Sequence, residues 1–296
     1  MRVAVTGAYG QLGSELCRLL GADAVPLEID TLDLTDGPAV EKALADLRPD
    51  AVVNCAAYTR VDRAESEPQQ CRAVNATALE HLARACKRLE CPLVQISTDY
   101  VFGGEPDRTT PFRENDPPSP RGVYARTKFE GEQAAARHLR KHLIVRTCGL
   151  YARPTDERAV NFVRTMLRLA HTGKELRVVA DQHCTPSYVP HVARAVLFLL
   201  GVPHGAPALW GIYHVVNRGA TTWYEFAAEV FRLAGVDVSL RPITTAEYGA
   251  AAPRPAYSVL DTAKYHALGG PAMPDWRTAL AEYTSQWKEA SHVGGS

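Results

Sequence analysis

The chain has 296 residues, 46% of them hydrophobic and 22% charged, enough apolar material for one large core or two modest ones. Its 33 Lys and Arg balance 33 Asp and Glu, so no net field draws a polyanion, which argues against nucleic acid or an anionic membrane as partner. The opening MRVAVTG holds one basic residue and a short apolar run that stops at a glycine turn; it fits neither a signal peptide nor a spanning helix, and the cytoplasm is the expected compartment. Seven Cys at 17, 55, 71, 86, 91, 148 and 184 form no C-x-x-C pair and no zinc spacing, so they read as small buried side chains in a reducing compartment and no metal ligand set is expected.

Residues 2–6 are a short β-rich run that flows into Gly7-Ala-Tyr-Gly10-Gln-Leu-Gly13 and then into an amphipathic helix pattern over 11–20. Strand, glycine turn and helix make a dinucleotide loop. Gly7 permits the tight turn, Gly10 lets backbone approach a pyrophosphate, and Gly13 lets the helix pack on the strand. The next strand, 24–27, ends at Glu28 and Asp30, with no Lys or Arg between Arg18 and Lys42. An acid there hydrogen-bonds a ribose 2′-hydroxyl, which leans towards NADH over NADPH, with use of both left open.

A helix over 38–47 precedes a third strand, 51–54, whose end carries the small residues Ala56 and Ala57 that let a flat cofactor lie against the backbone. A long helix is expected over 68–89, with Asn75 on it, then an apolar strand 93–97 running into Thr98, Asp99 and Tyr100. Residues 103–121 read as loop. The run 124–139 reads as a helix, and Tyr124 and Lys128, four apart, share one face at about 5–6 Å between Cβ atoms. A phenol beside a fixed ammonium is a proton donor for a carbonyl oxygen, its pKa brought down towards neutrality, while a strand-end hydroxyl such as Thr98 can hydrogen-bond that carbonyl. A Tyr-x-x-x-Lys pair arises readily by chance among 12 Tyr, and its weight comes from the nucleotide loop that precedes it.

A fifth strand follows at 142–146, and five alternations of strand and helix imply a doubly wound parallel sheet of Rossmann type over 1–150. After that the rhythm changes: helices over 161–171, 189–200, 222–234 and 274–287, strands over 176–180 and 211–216, and a Pro/Ala-rich loop over 242–255. Residues 151–290 are therefore expected to form a smaller α/β substrate lobe closing over the cofactor, with a solvated tail at 291–296. Trp223, Trp276 and Trp287 read as packing, and His171 and His191 carry no signal.

Along nearly its whole length the chain resembles the extended short-chain dehydrogenase/reductases, and within them the dTDP-4-dehydrorhamnose reductase family. The resemblance lies in GAYGQLG (7–13), LRPDAVVN (47–54), Val61-Asp62, AESEP (64–68), NAT (75–77), STDYVF (97–102), YARTK (124–128), Asn161-Phe162, TMLRLA (165–170), Asp181-Gln182, Thr221-Thr222-Trp223 and Arg254-Pro255. It implies NAD(P)H-dependent reduction of the C4 ketone of a dTDP-linked 6-deoxy-4-keto sugar, dTDP-4-dehydro-6-deoxy-L-mannose going to dTDP-L-rhamnose. Thr98, Tyr124 and Lys128 would be catalytic, with Lys128 on the nicotinamide ribose. Gly7, Gly10, Gln11, Leu12, Gly13, Glu28, Asp33, Leu34, Ala56, Ala57, Tyr58 and Asn75 would hold the cofactor, and Asp99, Tyr100, Asn161, Gln182 and Arg254 the sugar nucleotide. A homodimer is implied by resemblance alone.

Two departures bear on the substrate. Family members continue Arg146-Thr147 with Ser-Trp, whereas Cys148-Gly149-Leu150-Tyr151 stands here, which admits another nucleotide-linked 4-keto sugar. The stretch His183-Cys184-Thr185-Pro186 also lacks the family's usual Gly before Pro. A non-catalytic subunit that binds a dinucleotide, as in the regulatory subunit of methionine adenosyltransferase, is an alternative; intact Thr98, Tyr124 and Lys128 argue for an enzyme. An epimerase or dehydratase ranks last, since Thr98-Asp99 is followed by Tyr100 and not by an acid.

Overall fold

Val3–Thr6 (β1) is buried on both faces, which a strand tolerates only inside a covered sheet. A computed structural model describes residues 1–156, 160–202 and 210–293, the last four by their backbone alone. The expected tail is helical to Val293; residues 294–296 lie outside the described residues.

β1 pairs in parallel with β2 (Ala24–Leu27) and β3 (Ala51–Asn54), and β4 (Leu93–Thr98), β5 (His142–Thr147) and β8 (Gly211–His214) extend the sheet to the order β2-β1-β3-β4-β5-β8. Alternate strand residues feed two cores. Val3 and Val5 pack with Leu12 and Leu16 of α1 (Gln11–Leu20) and with Val192 and Val196 of α8 (Val189–Leu200). Ala4 and Val52 face the other way, onto Val40 and Leu44 of α2 (Gly37–Leu47) and Leu79 and Leu82 of α5 (Ala78–Leu89). The expected doubly wound architecture is present, and its sixth strand comes from the second half of the chain.

Strand order reverses between β1 and β3, so their carboxyl ends diverge from a crevice where such sheets bind ligands. A buried polar ladder ties those ends together: Thr6 Oγ1 donates to Asn54 Oδ1, and Asn54 Nδ2 to Gln95 Oε1 at 2.6 Å. The helix expected over 68–89 is interrupted. Pro68–Arg72 (α4) passes through a π turn, Ala73–Thr77, before α5, and α6 (Gly122–His138) lies so close that a Cβ on Gly131 would meet the Asn75 carbonyl oxygen at 2.2 Å.

The remaining elements build a smaller layer. α7 (Phe162–Ala170), α9 (Trp223–Ala234) and α12 (Trp276–Val293) enclose a third core around Tyr151, Phe226 and Trp276. β6 (Leu176–Val179) pairs in parallel with β10 (Leu240–Ile243), and β7 (His183–Cys184) runs antiparallel to β9 (Thr221–Thr222). Part of the expected 242–255 loop is ordered as β10 and the helical turn Thr245–Tyr248 (α10), which Thr244 and Glu247 close with a capping box.

Candidate active site

The carboxyl ends of the strands open into a cleft of about 960 Å³. At one end the glycine loop turns with Gly7 at φ +62°, and a Cβ there would strike Ala56 N at 2.7 Å. A Cβ on Gly13 would sit 2.1 Å from the Gly7 carbonyl oxygen, so only glycine allows α1 to start this close to the loop. Gly10 caps α1 without a side chain, and the first turn holds no acid, so the helix N-terminus and its N–H groups face the cleft unshielded. This cradle fits a dinucleotide pyrophosphate. Gln11, Leu12, Glu28, Asp33, Leu34, Ala56 and Ala57 line the same end, as expected from sequence. Glu28 also accepts from Tyr9 N at 2.5 Å, and Asp33 accepts from Thr35 N at 2.8 Å.

At the other end stand Thr98, Asp99, Tyr100, Tyr124 and Lys128. The α6 geometry puts the Tyr124 phenol and the Lys128 ammonium in one cleft, as their spacing predicts. Lys128 Nζ donates to the Ile96 carbonyl oxygen at 2.6 Å, and burial brings its pKa down to about 8 against the pull of Glu132. For Tyr124 the sequence expectation is reversed. Burial pushes its phenol well above the ordinary value, the hydrogen bond with Thr98 opposes that, and the charge of Asp99 adds to it. The phenol is thus held in the protonated form a donor needs. Its ring stands edge-on to Tyr100, 5.7 Å between centroids.

Five expected contacts do not reach the cleft. Asn75 is buried with its amide turned to the chain: Oδ1 accepts from Tyr58 N at 2.9 Å, and Nδ2 donates to Tyr58 O and to Thr127 Oγ1 at 3.2 Å each. Its work is to hold the loop that follows β3. Tyr58 points its hydroxyl to Glu67 at 2.5 Å, although its neighbours Ala57 and Thr59 line the cleft. Asn161 caps α7 and donates to Gln11 Oε1 at 3.2 Å, Gln182 donates to Thr245 Oγ1 at 2.9 Å, and Arg254 forms a two-pronged pair with Asp62 at 3.0 and 2.8 Å. Each is spent on another protein group.

Conversely, Trp223 lines the cleft, against its reading as packing. It begins α9 under the Thr222–Glu225 capping box, leans on Phe162 at 4.8 Å between centroids, and lies over Gly149, where a Cβ would meet its ring at 3.0 Å. Cys148, Gly149 and Val160 share that wall. Cys148 and Gly149 fall where the resemblance marks a departure bearing on the substrate, whereas Val160 and Trp223, far along the chain from Tyr124, carry no local pattern by which to find them.

A doubly wound sheet with a glycine cradle at its switch point, and with Tyr, Lys and Thr converging beside it, defines the short-chain dehydrogenase/reductase class. Residues 1–289 match the family model of the RmlD substrate binding domain, and the chain belongs to that family. It is 44% identical over 283 residues to a dTDP-4-dehydrorhamnose reductase of Streptomyces griseus, covering 94% of this chain and 91% of that protein. A probable dTDP-4,6-dihydroxy-2-methyloxan-3-one 4-ketoreductase of Streptomyces antibioticus is 41% identical over 297 residues, with 99% and 97% covered. Among solved structures, the dTDP-4-dehydrorhamnose reductase of Bacillus anthracis in complex with NADP superposes with a TM-score of 0.89 at 37% identity, over 96% of this chain and 99% of that one.

Proposed function

We propose that this protein is an NAD(P)H-dependent oxidoreductase that reduces the C4 ketone of a dTDP-linked 4-keto-6-deoxy sugar, with dTDP-4-dehydro-6-deoxy-L-mannose going to dTDP-L-rhamnose as the first-choice reaction. One observation carries the reading: the glycine cradle and the Thr98, Tyr124 and Lys128 side chains open onto a single cleft. When bound, the reduced nicotinamide supplies a hydride to the sugar carbonyl carbon. The chain's own residues do the rest. Tyr124, kept protonated by burial, delivers a proton to the oxygen that becomes negative, Thr98 holds the phenol in place, and Lys128 offers its ammonium to the cofactor ribose.

The acidic loop at Glu28 and the absence of a basic residue between Arg18 and Lys42 favour NADH, while the NADP complex of the Bacillus anthracis relative supports NADPH. A second reading, reduction of another dTDP-linked 4-keto sugar, is favoured by the Cys148-Gly149 wall and by the Streptomyces antibioticus relative. Following the nicotinamide absorbance with dTDP-4-dehydro-6-deoxy-L-mannose tests both, with NADH and NADPH compared in parallel. Turnover supports the first reading, and cofactor binding with turnover only on another 4-keto sugar supports the second. Binding without turnover on any such ketone overturns the reductase reading.

A further inference from the structure

Asp99 faces the cleft in sequence order, yet it is only 2% exposed and both of its carboxylate oxygens are engaged inside the protein. Oδ1 accepts from Thr98 Oγ1 at 3.1 Å, and Oδ2 accepts from Ser258 Oγ at 2.5 Å. Ser258, itself 3% exposed, comes from the far layer, 159 residues along the chain. It is clamped there: its N–H donates to the His183 carbonyl at 2.8 Å, and His183 N donates back to Ala256 O at 2.8 Å. We infer that Asp99 is a positioning residue: gripped by Ser258, it draws the Thr98 hydroxyl proton to itself and away from the cleft.

The argument is a count of protons and lone pairs. A threonine hydroxyl carries one proton and two lone pairs. Thr98 accepts from Tyr100 N at 3.1 Å and sends its proton to Asp99, which leaves one lone pair. That proton is the one by which Thr98 would donate to the Tyr124 oxygen and hold its pKa down, so Asp99 competes with Tyr124 for it. With its proton on Asp99, Thr98 has none for a sugar oxygen, and Tyr124 is left as the donor to that oxygen. This differs from the task that the sequence assigns to Thr98, a direct bond to the carbonyl. Burial drives the Asp99 carboxyl up, and the donors Ser258, Cys148 and Thr98 oppose that, so loss of Ser258 would weaken the hold on the carboxylate that orients Thr98.

The kinetic arm of the test rests on the reductase reading; the spectroscopic arm does not. In the ligand-free protein, proton NMR should show a slowly exchanging Thr98 hydroxyl proton, assigned by its loss in Thr98→Val, and Asp99→Asn should shift or abolish it. An unchanged line in Asp99→Asn overturns the inference whatever the substrate. In turnover, Asp99→Asn should lower kcat about tenfold or more with KM and cofactor affinity within about twofold, less than the loss on removing an oxyanion donor outright. Thr98→Val added to Asp99→Asn should cost about twofold at most, because the two act as one unit, whereas multiplicative losses would show that Asp99 does not act through Thr98. Should Asp99→Asn fail to fold, Ser258→Ala replaces it in both arms, and Ser258→Thr, which restores the hydroxyl, should recover the kcat; no recovery counts against the inference.

Discussion

Lys128 is buried and Tyr124 half-buried, and desolvation acts on them in opposite senses: the phenol is kept protonated and the ammonium is brought nearer to losing its proton. Tyr124→Phe removes the proposed donor and leaves the ring. Its kcat should fall by about 10²–10⁴, with the dissociation constant of the reduced cofactor, read by its fluorescence, changing less than about threefold. Near-normal turnover in that variant removes Tyr124 from the mechanism. Lys128 makes a separate claim on pH. In the free protein its ammonium is present below about 8 and is lost as pH rises above it, so cofactor affinity should be flat below that point and weaken above it, approaching tenfold per pH unit. Lys128→Met should bind more weakly throughout and show no break near 8; a break that persists belongs to another group.

Behind Tyr124 and Lys128, α6 is held to the sheet by an ion pair with almost no access to water. Arg146 of β5 and Glu132 of α6 meet through Nη2–Oε2 at 2.7 Å and Nε–Oε1 at 2.9 Å, and Ser97 Oγ donates to Glu132 at 2.6 Å. Arg146 is 1% exposed and also approaches His214, whose pKa burial lowers to about 3, so that neighbour stays neutral. Glu132 is thus the counter-charge of Arg146. Glu132→Gln keeps the shape and leaves the guanidinium buried with no opposing charge, and it should cost about 3–5 kcal/mol in denaturant-induced unfolding. A loss below about 1 kcal/mol would mean that water or another acid reaches Arg146. The same change removes a charge that holds the Lys128 pKa up, so it should also shift the break in cofactor affinity to lower pH.

For the whole molecule, what could be read from the chain depended on how local its cause is. Strands such as Val3–Thr6 and Leu93–Thr98 are legible because residues buried on both faces must be apolar in sequence, and Tyr124 and Lys128 because a helix brings positions four apart together. Asn75 lies on a π turn, which leaves no compositional mark, and its amide is engaged by Tyr58 rather than lining the cleft. Ser258 and Trp223 reach the site from a second layer, and Arg254 is drawn to Asp62 by a pairing no local pattern records. The boundary at residue 150 illustrates the same limit. The sheet of the first half is completed by β8, and its α1 face is covered by α8, whose Val189, Val192, Val196 and Leu199 are fully buried on the core that holds Val3 and Leu16. A fragment of residues 1–150 would leave that apolar face and the β5 edge open, and it should aggregate or stay unfolded. The full chain should therefore unfold as one unit. All four Trp lie at or beyond position 210, so their fluorescence reports the second half, while far-ultraviolet circular dichroism weights the strands and helices of both. The two signals should trace one coincident denaturant transition, and saturating reduced cofactor, proposed to bind at the β1–α1 end, should move both midpoints together. A fluorescence transition that separates from the dichroism, or that ignores the cofactor, would show two independently folding domains meeting near residue 150.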